Sequence, residues 1–146
     1  MDGFAIGMRA EVWFVTLAPL IGIALLLILG GAAGPWTPAR IAGLALTIIG
    51  IVPLTIARFN LGDSFSIAPE ARKLVTHGIY SRIRHPVYVF ATLIVAGVAF
   101  YFRIPMLLLV LAPLIPVQIA RARREEQVLE AKFGEEYRAY RRKTWF

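Results

Sequence analysis

Long apolar segments alternate with short polar ones along the chain, and this pattern predicts membrane-spanning helices. Four segments of 17 to 22 residues carry no charged side chain: 12–33, 41–57, 86–102 and 104–120. An α-helix rises about 1.5 Å per residue and the hydrocarbon core of a bilayer is about 30 Å thick, so about 17–25 residues can cross it. The pattern therefore predicts an all-α integral membrane bundle of four transmembrane helices.

The last two apolar segments are separated only by Arg103, and Pro105 follows almost at once. Such a short connection leaves room only for a tight turn, so these two spans are predicted to form an antiparallel hairpin. No internal repeat or linker is visible, and residues 1–146 are assigned to a single domain.

The chain after residue 120 is polar but keeps a periodic apolar face. Leu129, Phe133, Tyr137 and Tyr140 are spaced by four, four and three residues, which is typical of one face of a helix. This spacing predicts a C-terminal cytoplasmic amphipathic helix within 121–146. Gly134 is expected to interrupt or turn it.

Composition supports a membrane protein and removes several chemical classes. Hydrophobic residues make up 58% of the chain and charged residues 17%, which is incompatible with a disordered polypeptide. A soluble domain of this length could not easily bury so much apolar surface. The sequence has no cysteine, so disulfide scaffolds, zinc–thiolate sites and cysteine nucleophiles are excluded, and no metal site is predicted.

The positive charge is concentrated on one predicted face of the membrane. The formal net charge is +7, and 14 of the 16 basic residues precede the first span, lie within 58–84 or follow residue 120. The positive-inside rule then places both termini and the central loop in the cytoplasm, on the inner membrane if the source is bacterial. We expect this face to contact anionic membrane lipids and not nucleic acid, for which no motif is present.

Polar residues that have the potential for chemistry cluster in two stretches, of which the first ends at the third span. Pro86 suits the first turn of a helix, so His85 is expected near its N-cap. Free N–H groups and the helix dipole at such an end favour an anion or a polar ligand. Tyr88 lies three residues after His85 and is expected on the same helix face. The alternative is an interfacial belt of Tyr and Arg at headgroup level.

The second stretch leaves the fourth span and contains two adjacent acids. Arg121 and Glu125 are four residues apart, on the same helical stripe as Gln118. Attraction to lipids does not explain Glu125 and Glu126 in so basic a segment. The alternative explanation is ordinary salt bridges to the neighbouring arginines.

The two stretches together resemble the isoprenylcysteine carboxyl methyltransferase and phospholipid methyltransferase superfamily. The resemblance covers roughly residues 60–143 and includes Asn60-Leu61-Gly62 after the second span. The first block reads Gly78-x-Tyr80-x-x-x-Arg84-His85-Pro86-x-Tyr88. The second reads Arg121-x-x-x-Glu125-Glu126-x-x-Leu129-x-x-x-Phe133-Gly134-x-x-Tyr137-x-x-Tyr140.

The resemblance implies a methyltransferase that uses S-adenosylmethionine at the cytoplasmic membrane face and a lipophilic acceptor reached from the bilayer. The implied catalytic residues are Arg121 and Glu125: Arg121 would bind the cofactor carboxylate or orient the acceptor, and Glu125 is the first choice of acid beside it. The implied cofactor-binding residues are Gly78, Tyr80, His85, Pro86, Tyr88, Glu125 and Glu126.

Several functions remain open at this point. Carboxyl O-methylation of an isoprenylcysteine-like or other prenylated small molecule leads, followed by phospholipid amine N-methylation and methylation of small thiols. Two alternatives come from other classes: a non-catalytic membrane scaffold, and a nicotinamide-dependent membrane reductase, because sterol-reductase-like enzymes share a related hairpin. The sequence leaves the oligomeric state open.

Overall fold

The computed structural model describes residues 20–31, 34–61 and 74–146. Its helices are α1 (Leu20–Gly31), α2 (Pro38–Leu61), α3 (Pro86–Phe102), α4 (Leu111–Phe133) and α5 (Glu135–Lys143). Short 3₁₀ segments, Gly78–Ser81 and Pro105–Val110, precede α3 and α4. Within these ranges the only strand-like feature is an isolated parallel bridge between Ile83 and Trp145. The all-α prediction is confirmed.

Two helical stretches are long and apolar enough to cross a bilayer. They are Pro38–Leu61, with 24 residues, and the continuous stretch Pro105–Phe133, with 29. The apolar helices Leu20–Gly31 and Pro86–Phe102 are shorter. The described residues thus contain two candidate membrane spans, and the four predicted spans are not confirmed. Positions 12–19 and 32–33 of the first predicted span lie outside the described residues.

The helix boundaries agree with the prediction at α3 and differ from it at α4. Helix α3 occupies 86–102 as expected, because Pro86 begins it and the turn at Arg103 ends it. The fourth span was predicted to end at residue 120, with an amphipathic helix running out of it. Helix α4 continues without a break to Phe133, because the residues after position 120 are mostly strong helix formers. The interruption at Gly134, whose φ is 50°, is confirmed.

The tight turn between α3 and α4 is formed as predicted. Arg103 adopts a left-handed conformation with φ 58°, and its N–H donates to the carbonyl oxygens of Ala99 and Phe100. The next N–H, of Ile104, donates to Ala99 at 2.9 Å. Contacts farther along the two helices join early residues of α3 to late residues of α4, so the pair is antiparallel.

Helices α2 and α3 meet along a seam of small residues. A Cβ atom at Gly97 would overlap Thr47 and the backbone of Gly43, and one at Gly50 would overlap Ile94. Thr47 is fully buried, and its hydroxyl donates to the Gly43 carbonyl at 2.8 Å. Small residues allow membrane helices to approach closely and gain van der Waals contact, which is the packing seen here.

A second cluster ties α1 to α2 and α3 at the opposite end from the polar blocks. The buried Tyr101 donates its hydroxyl to the Leu27 carbonyl at 2.6 Å. The Arg40 guanidinium lies 5.1 Å from the centre of the Tyr101 ring and donates to the carbonyls of Gly30 and Gly34. Arg40 therefore donates to one carbonyl in the last turn of α1 and to one just beyond it, where helix ends leave acceptors unpaired.

The loop before α3 is fixed by a small apolar core. Ala57 of α2, Val75 and Tyr80 are buried together, with three partly buried neighbours: Leu61, Ile79 and Val87. Tyr140 of α5 donates its hydroxyl to the Tyr80 carbonyl at 2.7 Å. These contacts bring α5, the loop and the start of α3 together, and the two polar blocks of the sequence meet beside them.

Candidate active site

Six side chains from the two blocks form one polar group, called here the polar cluster. Its members come from the start of α3 and the second half of α4: Arg84, His85, Tyr88, Arg121, Glu125 and Glu126. Pro86 begins α3, which places His85 at its N-cap and Tyr88 in its first turn. The antiparallel hairpin then brings the second half of α4 alongside. The two sequence blocks therefore share one location.

His85 is the centre of the polar cluster. Its imidazole is held between both acids, with Nδ1 3.5 Å from Glu125 Oε2 and Nε2 3.4 Å from Glu126 Oε1. The Tyr88 ring stacks on it, with ring centres 5.8 Å apart. Only 6% of His85 is exposed. The predicted common face of His85 and Tyr88 is therefore observed, and the ring has little freedom to move.

Glu126 is tied to other parts of the protein. Its Oε1 accepts from Arg84 Nε at 3.0 Å, and its Oε2 lies 3.9 Å from Arg141 of α5. The side chain is 17% exposed. Ion pairs with neighbouring arginines of the same helix were the alternative explanation for the two acids. The partners found here belong instead to the loop before α3 and to α5.

Glu125 is the more accessible acid of the pair, with 35% of its side chain exposed. One carboxylate oxygen accepts a hydrogen bond from the Tyr88 hydroxyl. Arg121, four residues earlier on α4, is exposed and lies beside the same hydroxyl. Glu125 and Arg121 thus present a carboxylate and a guanidinium side by side, with Tyr88 between them.

Three predicted cofactor-binding residues lie in the surrounding framework. Gly78 has φ 62°, and its backbone packs so closely on the Asn60 amide that a Cβ would overlap it. Pro86 is fully buried at the start of α3. Tyr80 is buried in the apolar core, and burial raises the pKa of its hydroxyl, as does the nearby Tyr140. Their direct contact with a cofactor stays a prediction.

Free backbone N–H groups were expected at the start of α3, but those of Arg84 and His85, just before the helix, already have partners. The N–H of Arg84 donates to the carbonyls of Trp145 and Phe146, at 3.1 and 2.8 Å. The N–H of His85 donates to Phe146 at 3.1 Å. The segment after α5 returns to the loop and occupies these donors. Helical spacing cannot reveal such a contact between residues 60 positions apart.

Another polar contact lies one helical turn beyond the polar cluster, between α3 and α4. The Thr92 hydroxyl lies 3.0 Å from both the Tyr88 carbonyl and the Gln118 side-chain oxygen. Gln118 was expected on the stripe of Arg121 and Glu125, and the contact agrees with that. The sequence reasoning did not single out Thr92, although its spacing of four from Tyr88 on a helix is a usable signal.

Arg84 and Phe146 were also absent from the predicted site residues. Arg84 stands in the first block, and its guanidinium joins Glu126 to the carbonyls of Arg141 and Thr144, each at 3.1 Å. Phe146 places the edge of its ring on His85, with centres 5.6 Å apart. Nothing in the spacing of either residue indicates these partners.

Comparison with known proteins adds an independent finding. The family model for phospholipid methyltransferases matches residues 38–136, about two thirds of the chain. The matched region contains α2, α3, α4 and every member of the polar cluster. No curated protein matches the chain. The chain belongs to the phospholipid methyltransferase family, within the superfamily of integral membrane methyltransferases that its two blocks resemble.

Proposed function

We propose that this protein transfers a methyl group from S-adenosylmethionine to a lipophilic acceptor at the membrane face where the polar cluster lies. The observation that carries the proposal is the meeting of the two blocks in one cluster at the end of apolar helices. Family membership supports methyl transfer as the reaction class. The distribution of basic residues supports a multi-pass protein with this face in the cytoplasm.

The side chains of the polar cluster fit the functional groups of S-adenosylmethionine. This cofactor carries an ammonium group, a carboxylate, ribose hydroxyls and a positively charged sulfur. The accessible carboxylate of Glu125 suits the ammonium or the hydroxyls, since ionised acceptors form the stronger hydrogen bonds. The Arg121 guanidinium suits a carboxylate. The Tyr88 ring provides an aromatic surface to which a cation is attracted.

Each residue then has a defined task. When bound, S-adenosylmethionine supplies an electrophilic methyl group on a good leaving group, so the protein needs chiefly to align the reactants and exclude water. Glu125 and Arg121 offer the cofactor a carboxylate and a guanidinium side by side, and Tyr88 keeps the Glu125 carboxylate in place. Arg84 fixes the Glu126 carboxylate, which in turn holds the His85 ring. His85 then supports Glu125 and Tyr88 in their positions.

The identity of the methyl acceptor is a further part of the proposal. Carboxyl O-methylation of an isoprenylcysteine-type substrate needs no general base, because a carboxylate is already ionised at neutral pH. A phospholipid amine must lose a proton, and Glu125 is the accessible carboxylate of the cluster that can receive it. The family match supports the phospholipid amine as the alternative. A small thiol is the third candidate.

An acceptor panel tests the proposal. The purified protein in liposomes is incubated with methyl-labelled S-adenosylmethionine and, in turn, a prenylated cysteine, phosphatidylethanolamine and a small hydrophobic thiol. Label in one product identifies the acceptor, and Glu125→Gln serves as the low-activity control. Absence of label with every acceptor and no cofactor binding would support a scaffold. Binding of reduced nicotinamide in its place would support a reductase.

A further inference from the structure

The residues after α5 form an extended segment that returns to the loop before α3. This segment, Thr144–Phe146, is called here the strap; Thr144 has φ −122° and ψ 154°, as in a β-strand. Its Trp145 N–H donates to the Arg82 carbonyl at 3.0 Å, and Ile83 and Trp145 form a parallel bridge. The strap therefore pairs with the loop as a short strand would.

The strap also accepts hydrogen bonds from the backbone just before α3. The N–H groups of Arg84 and His85 precede Pro86 and have no partner within the helix. Both donate to the Phe146 carbonyl, at 2.8 and 3.1 Å. The Arg84 guanidinium donates to the Thr144 carbonyl at 3.1 Å while its Nε holds Glu126. Arg84 thus links the strap directly to Glu126 of the polar cluster.

The side chains of the strap point in different directions, as expected for an extended segment. Trp145 is 59% exposed, whereas the Phe146 ring packs edge-on against His85 at 5.6 Å. Tyr88 stacks on the same imidazole at 5.8 Å. His85 is therefore contacted by aromatic rings from two separate elements, in addition to its two carboxylate partners.

We infer that Phe146, which the strap holds in place through its backbone, is a positioning residue for the cofactor site and keeps His85 between Glu125 and Glu126. Because the strap occupies the N–H groups of Arg84 and His85, a ligand at this place is recognised through the side chains of the cluster. The geometry of those side chains then depends on His85 being immobile. The inference rests on the proposed function, because it assigns the strap a role toward S-adenosylmethionine.

Calorimetric titration with S-adenosylhomocysteine, the demethylated product, tests the inference without requiring turnover. Phe146→Ala removes the ring and is expected to weaken binding by about tenfold or more, because small displacements of site residues are costly. Phe146→Leu keeps apolar volume but lacks the aromatic edge, and is expected to weaken binding less. Phe146→Tyr retains the ring and should restore wild-type affinity.

Two variants at Trp145 separate the side chain from the backbone. Trp145→Ala removes an exposed side chain and is expected to leave affinity within about twofold, as for other surface substitutions. Trp145→Pro removes the N–H that donates to Arg82 and should weaken binding as Phe146→Ala does. The melting temperature and kcat at saturating cofactor are measured for each variant, and a positioning role predicts a raised cofactor KM with kcat largely kept.

The outcomes distinguish the inference from the proposed function. Tight binding to the wild type with unchanged affinity in folded Phe146→Ala and Trp145→Pro would overturn the inference alone. A lower melting temperature with wild-type affinity and KM would show that the strap only stabilises the fold, and would also overturn it. Failure of the wild type to bind S-adenosylhomocysteine would overturn the proposed function and the inference with it.

Discussion

Glu125 and Glu126 are adjacent in sequence but have different surroundings. Glu126 accepts from Arg84 and approaches His85 and Arg141, whereas Glu125 is held by Tyr88 and His85 and is about twice as exposed, 35% against 17%. One acid thus maintains the arrangement of the loop, α4 and α5. The other is available to a ligand.

This difference predicts that the same substitution weakens ligand binding at one position and stability at the other. Glu125→Gln is expected to weaken S-adenosylhomocysteine binding by about tenfold with little change in melting temperature, because a charge-assisted hydrogen bond contributes about 1.5–3 kcal/mol. Glu126→Gln should lower the free energy of unfolding by about 1–3 kcal/mol, because Arg84 loses its ionised partner. Calorimetry and thermal unfolding of both variants check this. Equal loss of affinity in both, or in neither, would contradict the division of roles.

Two tyrosines of α5 predict how stability depends on pH. Burial raises the pKa of Tyr137 to about 12, with the charge of Glu126 adding to it. Burial likewise raises the pKa of Tyr140 to about 12. Because the unfolded value is 10.0, folding favours the protonated phenols. Their contribution to stability is complete below pH 10 and is lost as the pH rises through 12.

The melting temperature should therefore fall as the pH rises from 9 to about 12. The fall should be smaller in a Tyr137→Phe, Tyr140→Phe double variant than in the wild type. The Tyr137 hydroxyl has no hydrogen-bond partner among the described residues, so Tyr137→Phe alone should not reduce stability near neutral pH. An equally steep fall in the double variant would show that other groups control alkaline stability.

Single residues show where sequence reasoning succeeds and where it stops. His85, Tyr88, Glu125 and Gln118 could be grouped because helical spacing places each on a face with its neighbours. The contact of Phe146 with His85 could not be predicted in this way. It depends on the turn at Gly134 before α5 and on the extended segment after α5. Long-range backbone pairing of this kind leaves no periodic signal.

At the scale of helices, hydropathy predicted the cores of the elements better than their ends. Helix α3 has the expected limits because a proline and a left-handed turn bracket it. Helix α4 continues past residue 120, where the hydropathy falls, and ends at Phe133 before the predicted interruption at Gly134. Lys, Arg, Glu, Gln and Ala continue a helix as readily as Leu does.

The α2–α3 seam predicts which glycines matter for packing. Gly97→Ala would place a Cβ against Thr47 and the Gly43 backbone, which must move apart, so the free energy of unfolding should fall by about 1–3 kcal/mol. Gly22→Ala on α1 is the matched control, since no atom lies within 4 Å of the added Cβ and alanine favours helix. Thermal unfolding in detergent compares them. A destabilised Gly22→Ala with an unaffected Gly97→Ala would contradict the seam.

At the scale of the whole molecule, the apolar helices hold two polar blocks together at one end and an Arg40–Tyr101 cluster at the other. The family was accessible from sequence because both blocks lie in order around a hairpin. The methyl acceptor could not be predicted from sequence, because a membrane helix lined with aliphatic side chains specifies only that its ligand is apolar. Four complete spans were predicted, and the described residues contain two candidate spans.

The most direct test of the central claim is an experimental structure with S-adenosylhomocysteine, obtained in a lipidic phase. We expect adenosine-shaped density beside Tyr88, with the ribose or the amino group on Glu125 and the ligand carboxylate toward Arg121. The strap should remain paired with the loop before α3. Density for the ligand at another place in the molecule, with the polar cluster unchanged and unliganded, would contradict the assignment of this cluster as the site of methyl transfer.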